Sequence, residues 1–363
     1  MKPKYEQLAD KLRLDLQQNK YQEGELIPSE NTLQEMFQLS RHTVRQAIGV
    51  LVNEGLLRKE KGSGTYVAKK ETGKKRPKTI GVIMTYLSDY IFPSIIRGIE
   101  QELSQYGYSL LLGTTNNNHQ KEKECLQQML EQQVDGLIVE PTKSNEYNPN
   151  LPYYIALEEK GIPVLMINAF YEELKGPYIG VDDVKSGYLA TKYLLEAKHK
   201  HLMLVTKMDD LQGKFRMQGF IQAIREAKLN FLPEDLLTYT TETKEEVVKK
   251  AIERLSQVGN QVTAIVAYND EIANQLVEKL TEKGLQVPEN ISIIGNDDST
   301  LSTSGLVNLT TLAHPKEKMG ELAAKTIVQA IETGEKTTFA FEPELIERDS
   351  VKKQGTNLIE EEK

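Results

Sequence analysis

From Thr79 onward the chain repeats one pattern, a short apolar run rich in β-branched residues followed by a stretch with helical spacing. The runs are "TIGVIM", "YSLLLGT", "DGLIVE", "IPVLMI", "YIGVDD", "HLMLVT", "AIVAYND" and "ISIIGND". Near-continuous apolar runs suit strands buried on both faces, and alternation with helices suits parallel sheets sandwiched by them. About ten strands over roughly 270 residues fit two doubly wound lobes better than one. Ligands of such sheets bind beyond the carboxyl ends of the strands, so the polar residues after each run are the place for a site. Glu140, Asp182, Asp183 and Tyr90 are candidates on that ground, as are the pairs Asn269-Asp270 and Asp297-Asp298. Asp297 and Asp298, adjacent on what reads as an extended segment, are expected to point apart.

The first 78 residues have a different texture. In "SRHTVRQAIGVLVNEGL", residues 40–56, Val44, Ala47, Ile48 and Leu51 recur at helical spacing, Ser40 is placed to cap and Gly55 to stop. The opposite face carries Arg41, His42, Arg45 and Gln46 over two turns. Upstream, a helix is predicted over about 4–19, and Ser29 caps a short helix ending near Phe37. A tight turn at Gln38 and Leu39 joins the two later helices into a helix-turn-helix. Strands Leu56–Lys59 and Thr65–Ala68 flank the glycine-rich "KGSG" as a hairpin, the wing.

Charge separates the two parts. Residues 1–78 hold 16 Lys+Arg against 10 Asp+Glu, while the remainder holds 29 against 43. A basic module joined to an acidic body points to a polyanion for the small part, because neutralised phosphates supply most nucleic-acid affinity. "KKETGKKRPK", residues 69–78, has no apolar residue and reads as a linker. The predicted organisation is a winged helix-turn-helix over 1–68, mainly α with a β wing; the linker; a two-lobed α/β domain over 79–353; and a tail over 354–363. No apolar run approaches the ~20 residues of a membrane span, and the charged N-terminus offers no signal-peptide core, so a cytoplasmic location is expected. The single cysteine, Cys125, excludes an intramolecular disulfide framework and reads as a packed filler.

Two blocks, "GELIPSENTL" and "SRHTVRQAI", make residues 5–67 resemble the GntR-family winged helix. Residues 79–350 resemble the effector domain of the lactose/galactose repressor family and the periplasmic sugar-binding proteins, through "IFPSIIRGIEQEL", "VDGLIVEP", "FRMQGF", "AYNDEIA", "ISIIGNDDS" and "TTLAHPKEKMG". Their pairing on one chain is similar to that of the arabinose-repressor family. The resemblance implies a dimeric repressor that binds operator double-stranded DNA and is released by a sugar, L-arabinose, with no cofactor. It implies that Arg41 and Arg45 read guanine, with His42 and Thr43 beside them, Glu30 orienting the basic side chains and Lys4 as a further DNA contact. Lys61, Gly62 and Gly64 would form the wing tip. A guanidinium suits this task because it can bond guanine O6 and N7 together. For the effector, the resemblance implies Asp89, Phe92, Asn168, Arg216, Asn269, Asp297 and His314. Carboxylates, amides and a guanidinium match vicinal hydroxyls, and without tryptophan any ring stacking falls to Phe or Tyr.

The competing reading is a carbohydrate-binding or carbohydrate-converting enzyme on the α/β body. Against it, the sequence has no G-x-x-x-x-G-K-[ST] phosphate loop, no G-x-G-x-x-G after a strand and no H-E-x-x-H. A secreted transport protein would match residues 79–350 but not the basic module. His199 and His201 lack a third ligand at zinc spacing, so no metal is expected.

Overall fold

A computed structural model describes residues 2–18, 20–60, 63–68, 77–87 and 90–354. Lys61, Gly62, Asp89, residues 69–76 of the expected linker and residues 355–363 of the expected tail lie outside the described residues. The chain divides into two compact units, Met1–Arg76 and Pro77–Lys363.

In the first unit α1 spans Lys4–Gln17, α2 Glu30–Phe37 and α3 Arg41–Asn53. Ser29 Oγ accepts from the Thr32 N–H at 3.1 Å and Ser40 Oγ from the Thr43 N–H at 3.2 Å, so each helix starts where its hydroxyl cap ends the preceding turn. Gln38, in the left-handed region at φ 51°, ends α2 and reverses the chain into Ser40. The helices bury Leu12, Leu33, Val44, Ile48 and Leu51, each at 2% exposure or less, against Leu57 and Val67 of the wing. Each such side chain contributes ~1.5–3 kcal/mol when buried. The wing strands β1 (Leu57–Glu60) and β2 (Gly64–Val67) pair antiparallel, Leu57 opposite Val67 and Glu60 opposite Gly64. Gly64 has φ 141°, a backbone conformation that residues with a side chain rarely adopt, so the hairpin favours glycine here.

The second unit opens with β3 (Thr79–Met84), α4 (Phe92–Gln105), β4 (Ser109–Thr114), α5 (His119–Glu131), β5 (Gly136–Val139), α6 (Leu151–Glu159), β6 (Val164–Ile167) and β7 (Tyr178–Val181). There follow α7 (Asp183–Glu196), β8 (Leu202–Lys207), α8 (Leu211–Glu226), β9 (Leu236–Tyr239), α9 (Lys244–Leu255), β10 (Ala264–Ala267), α10 (Asp270–Glu282), β11 (Ser292–Ile294) and α11 (Leu301–Ser304). The last elements are β12 (Thr311–Ala313), α12 (Lys316–Thr333), β13 (Phe339–Phe341) and β14 (Glu344–Ile346).

Two parallel sheets result, ordered β13-β7-β6-β5-β3-β4 and β11-β10-β8-β9, with a short antiparallel pair β12-β14. Strands such as β5 and β10 are buried along their whole length, which is why they read as unbroken apolar runs. The chain crosses between the lobes three times: after β7, between β12 and α12, and between β13 and β14. Strand carboxyl ends of both sheets therefore face a common cleft, with the crossings along one side.

Candidate functional site

In the first unit, α3 presents Arg41 and Arg45 to solvent, their side chains 61% and 55% exposed. His42 is exposed beside them, and Lys4 is exposed at the head of α1. Thr43 is half-buried, its N–H on Ser40 Oγ and its hydroxyl within hydrogen-bond distance of the same atom, so it serves the cap first. Glu30, the first residue of α2, organises this surface. Its Oε2 lies 2.8 Å from Arg45 Nε and 3.5 Å from Arg41 Nε, and its Oε1 lies 3.4 Å from Lys59 Nζ of the wing. Burial alone would raise the Glu30 carboxyl, but hydrogen bonds from Arg45 and Lys59 outweigh it and hold the group below its usual value. Three cations, two from α3 and one from the wing, thus converge on one carboxylate of α2.

In the second unit, a cavity of about 320 Å³ lies between the lobes. That is the lower end of the ~300–1,000 Å³ common for small-ligand sites. Tyr90, Phe92, Glu140, Asn168, Asp183, Arg216, Asn269, Asp297 and His314 all line it, Arg216 from within α8 and the others from the segments that follow strands far apart in sequence. Asp182 does not. It is the N-cap of α7, its Oδ1 accepting the Lys185 N–H at 2.9 Å, which corrects the expectation that both acids of "VDD" would face the ligand.

Arg216 is the electrostatic centre. Its Nε donates to Asp183 at 2.8 Å, Nη1 to the Tyr268 carbonyl at 2.7 Å and Nη2 to Asp297 at 3.3 Å, with the Tyr268 ring beneath at 5.0 Å. Burial opposes its charge, yet the two carboxylates raise its affinity for the proton overall. One guanidinium cannot serve both acids equally. Burial pushes Asp183 up to about 6 in spite of Arg216. Asp297, also penalised by burial, is held below its usual value by Arg216, the Tyr90 hydroxyl at 2.7 Å and the Asn296 amide at 2.7 Å.

Glu140, from the other lobe, is held by neutral donors: the Thr85 N–H at 2.9 Å, the Thr85 hydroxyl, and the Asn168 amide at 2.7 Å. Burial raises its carboxyl above the usual range. Because Asn168 gives its N–H₂ to Glu140, its oxygen faces His314 Nε2 at 2.9 Å, which fixes the imidazole proton on Nε2. Among the described residues His314 Nδ1 has no hydrogen-bond partner. Asn269 caps α10 through the Ile272 N–H at 3.0 Å and also lines the cavity.

Sequence reasoning passed over Tyr86, Lys207, Asp210, Tyr239 and Tyr268, all on the cavity wall. Each stands at or just beyond the end of β3, β8, β9 or β10, so the strand-end rule would have found them. Lys207 pairs with Asp210 at 2.6 Å and Asp209 at 3.3 Å, and Lys244 with Glu271 at 2.5 Å. Asp297 and Asp298 do point apart, but through left-handed backbone at φ 102° and 46°, not through an extended segment. Asp298 turns to Arg348 at 2.6 Å. Cys125 is buried. His199 bonds Thr263 and the Lys352 carbonyl, each at 2.9 Å, and among the described residues no cluster of three or more His, Cys, Asp or Glu could hold a metal ion.

Residues 4–67 match the bacterial regulatory proteins of the gntR family, and residues 191–351 match the periplasmic binding protein-like domain. Over 353 residues the chain is 46% identical to an arabinose metabolism transcriptional repressor of Halalkalibacterium halodurans, covering 92% of this chain and 93% of that one. It is 44% identical over 358 residues to the repressor of the same description from Geobacillus stearothermophilus, covering 96% and 98%. The transcription regulator CcpA of Lactococcus lactis superposes with a TM-score of 0.66 at 25% identity over 76% of this chain and 99% of that one. The transcriptional regulator CelR in its cellobiose complex superposes at 0.67 and 22% identity over 86% and 92%, which supports the fold alone. Identity this high over nearly the full length of both curated relatives shows that the chain belongs to the arabinose metabolism transcriptional repressors, with a GntR-type module ahead of a periplasmic-binding-protein-like domain.

Proposed function

We propose that this repressor binds operator DNA as a cytoplasmic homodimer, reading bases with Arg41 and Arg45, and releases it when L-arabinose occupies the cavity between the lobes. The observation that carries the effector reading is the charge balance of the cavity wall. Arg216, Lys207 and Lys244 each already pair with carboxylates, and Glu140 is held by neutral donors. A phosphate or carboxylate ligand would find its cations taken, whereas an uncharged polyol can donate to the carboxylates and lie against Tyr and Phe rings. Among the described residues no helix is long and apolar enough to cross a membrane.

For the DNA side, Arg45 is exposed on the recognition helix and oriented by Glu30. Bound duplexes selected from a random library would define the operator, and labelled operator titrated with protein and then with a panel of pentoses and hexoses tests both halves. Arg45→Ala is expected to lose about 1–3 kcal/mol on the selected site and much less on random DNA. Arg216→Ala is expected to keep operator affinity and fail to release at sugar concentrations that free the unaltered protein. Equal losses on both DNAs would refute base reading, and normal release by Arg216→Ala would refute the site. Sedimentation with and without operator tests the homodimer.

A further inference from the structure

Asp297 enters the cavity from a turn whose two residues both have positive φ. Side-chain-bearing residues stay in that region only where surrounding contacts hold them. Several of those contacts come from the same lobe. Ser302 Oγ and Arg348 Nη2 bond the Asp298 carboxylate at 3.1 and 2.6 Å, and the Asp298 N–H reaches Thr311 Oγ1 at 3.4 Å. The two carbonyls of the turn are held differently. Lys316 Nζ donates to the Asp297 carbonyl at 2.8 Å, which also accepts the His314 N–H at 3.3 Å, and to the Asp298 carbonyl at 2.7 Å.

Lys316 belongs to the other lobe. It is the first residue of α12, whose Met319, Ala323 and Ile327 build the core under the six-stranded sheet, while Asp297 follows β11 of the four-stranded sheet. The ammonium therefore bridges the lobes at the second chain crossing, two residues from His314. Burial pulls Lys316 below the usual lysine range although Asp297 and Asp298 oppose the shift. A methionine would fill the same space without that desolvation, so the polar end has to be explained by what it holds.

We propose that Lys316 is a positioning residue of the effector site: by gripping both carbonyls of the Asp297-Asp298 turn, it fixes the direction in which the Asp297 carboxylate meets Arg216, Tyr90 and the bound sugar. The proposal rests on the sugar reading above. It adds a residue outside the cavity lining on which sugar affinity depends, and it places that residue where rotation of one lobe is felt directly by the ligand-binding turn of the other.

The experiment uses the full chain. Calorimetry with L-arabinose is run first on the unaltered protein; absence of binding there refutes the sugar reading before any variant is made. Lys316→Met keeps the stem and removes the donors, and is expected to bind the sugar roughly ten- to a hundredfold more weakly, the range for losing charged hydrogen bonds. Operator affinity without sugar should stay within about twofold. Lys316→Cys on a Cys125→Ala background, alkylated with 2-bromoethylamine, rebuilds an ammonium on a stem of the same length and should recover most of the lost sugar affinity. Sugar binding by Lys316→Met equal to that of the unaltered protein overturns the proposal. So does a loss that alkylation leaves unrepaired, because the effect would then be one of packing.

Discussion

His314 is 8% exposed, and its imidazole is driven down to about 4 by burial, with Lys316 and Arg216 adding to the shift against the attraction of Asp297. In the unfolded chain the same group titrates near 6.5. The unfolded state therefore takes up the proton first as pH falls. Stability contributed by neutral His314 is fully present above about 6.5 and is lost as pH drops toward 4, by a few kcal/mol over the window. Thermal unfolding from pH 7 to pH 4 should fall more steeply for the unaltered protein than for His314→Gln, and parallel curves would contradict the assignment. His314 was legible from "TLAHP", but its tautomer was not, since that depends on Asn168 and Glu140 from the other lobe. Asp182 and Asp183 show the same limit at closer range. Both follow β7, and one residue of helical offset decides that the first caps α7 while the second reaches Arg216. Composition cannot choose between them. The left-handed turn at Asp297 and Asp298 was equally hidden, because nothing local demands it; the demand comes from Leu312, Thr311, Arg348 and Lys316.

At the scale of elements, α7 and α8 meet with their backbones almost in contact. A Cβ on Gly187 would lie 2.0 Å from the Arg216 carbonyl oxygen, and one on Gly219 would lie 1.9 Å from that of Val184. Neither neighbour is a flexible side-chain end, so an added methyl must separate the helices. Gly187→Ala is expected to cost about 1–3 kcal/mol as overpacking. It should also weaken sugar binding, because the backbone displaced is that of Arg216 itself. Calorimetry and thermal unfolding on the same variant check both; a destabilised chain with unchanged sugar affinity would show that α8 yields elsewhere. The strands that sequence reasoning located are β3 to β8 with β10 and β11; all but β4 are largely buried, while β4, at the edge of its sheet with no fully buried residue, was legible from its leucine run alone. Sequence reasoning did not single out β9, β12, β13 or β14. These are short or half-exposed, β13 reading only "FAF" and β14 "ELI", and they exist because a neighbouring strand or crossing holds them. The wing strands shifted by one residue at their ends for a related reason, since Gly64 at φ 141° can open a strand that its composition argues against.

At the scale of the second unit, the lobes touch through contacts that need no effector. On the edge of the cleft formed by the 117 and 143–145 loops, the Asn117 amide donates to Thr241 Oγ1 at 2.7 Å and the Asn145 amide to the Met208 carbonyl at 2.8 Å. The Leu211 N–H meets Ser144 Oγ at 2.9 Å, and Lys143 lies 2.6 Å from Glu242. These are unequal. Glu242 is 60% exposed, so its ion pair contributes under ~1 kcal/mol. Asn117 is 2% exposed and faces the buried Asp209–Thr241 pair, so its loss leaves polar atoms short of a partner and costs more, ~1–3 kcal/mol. Such contacts favour the arrangement in which the lobes meet before any sugar arrives. Apparent affinity falls with the fraction of molecules already in the binding-competent state, so weakening this edge should raise the sugar concentration needed for release without touching a single ligand-binding residue. Asn117→Ala with Lys143→Met is expected to bind L-arabinose several-fold more weakly and to hold operator at least as tightly without it. Calorimetry and operator titration of the double variant measure the two sides separately. Unchanged sugar affinity would mean that the lobes already meet in nearly all molecules and that this edge is not what sets the balance, whereas weakened operator binding without sugar would assign DNA binding to the arrangement in which the lobes touch.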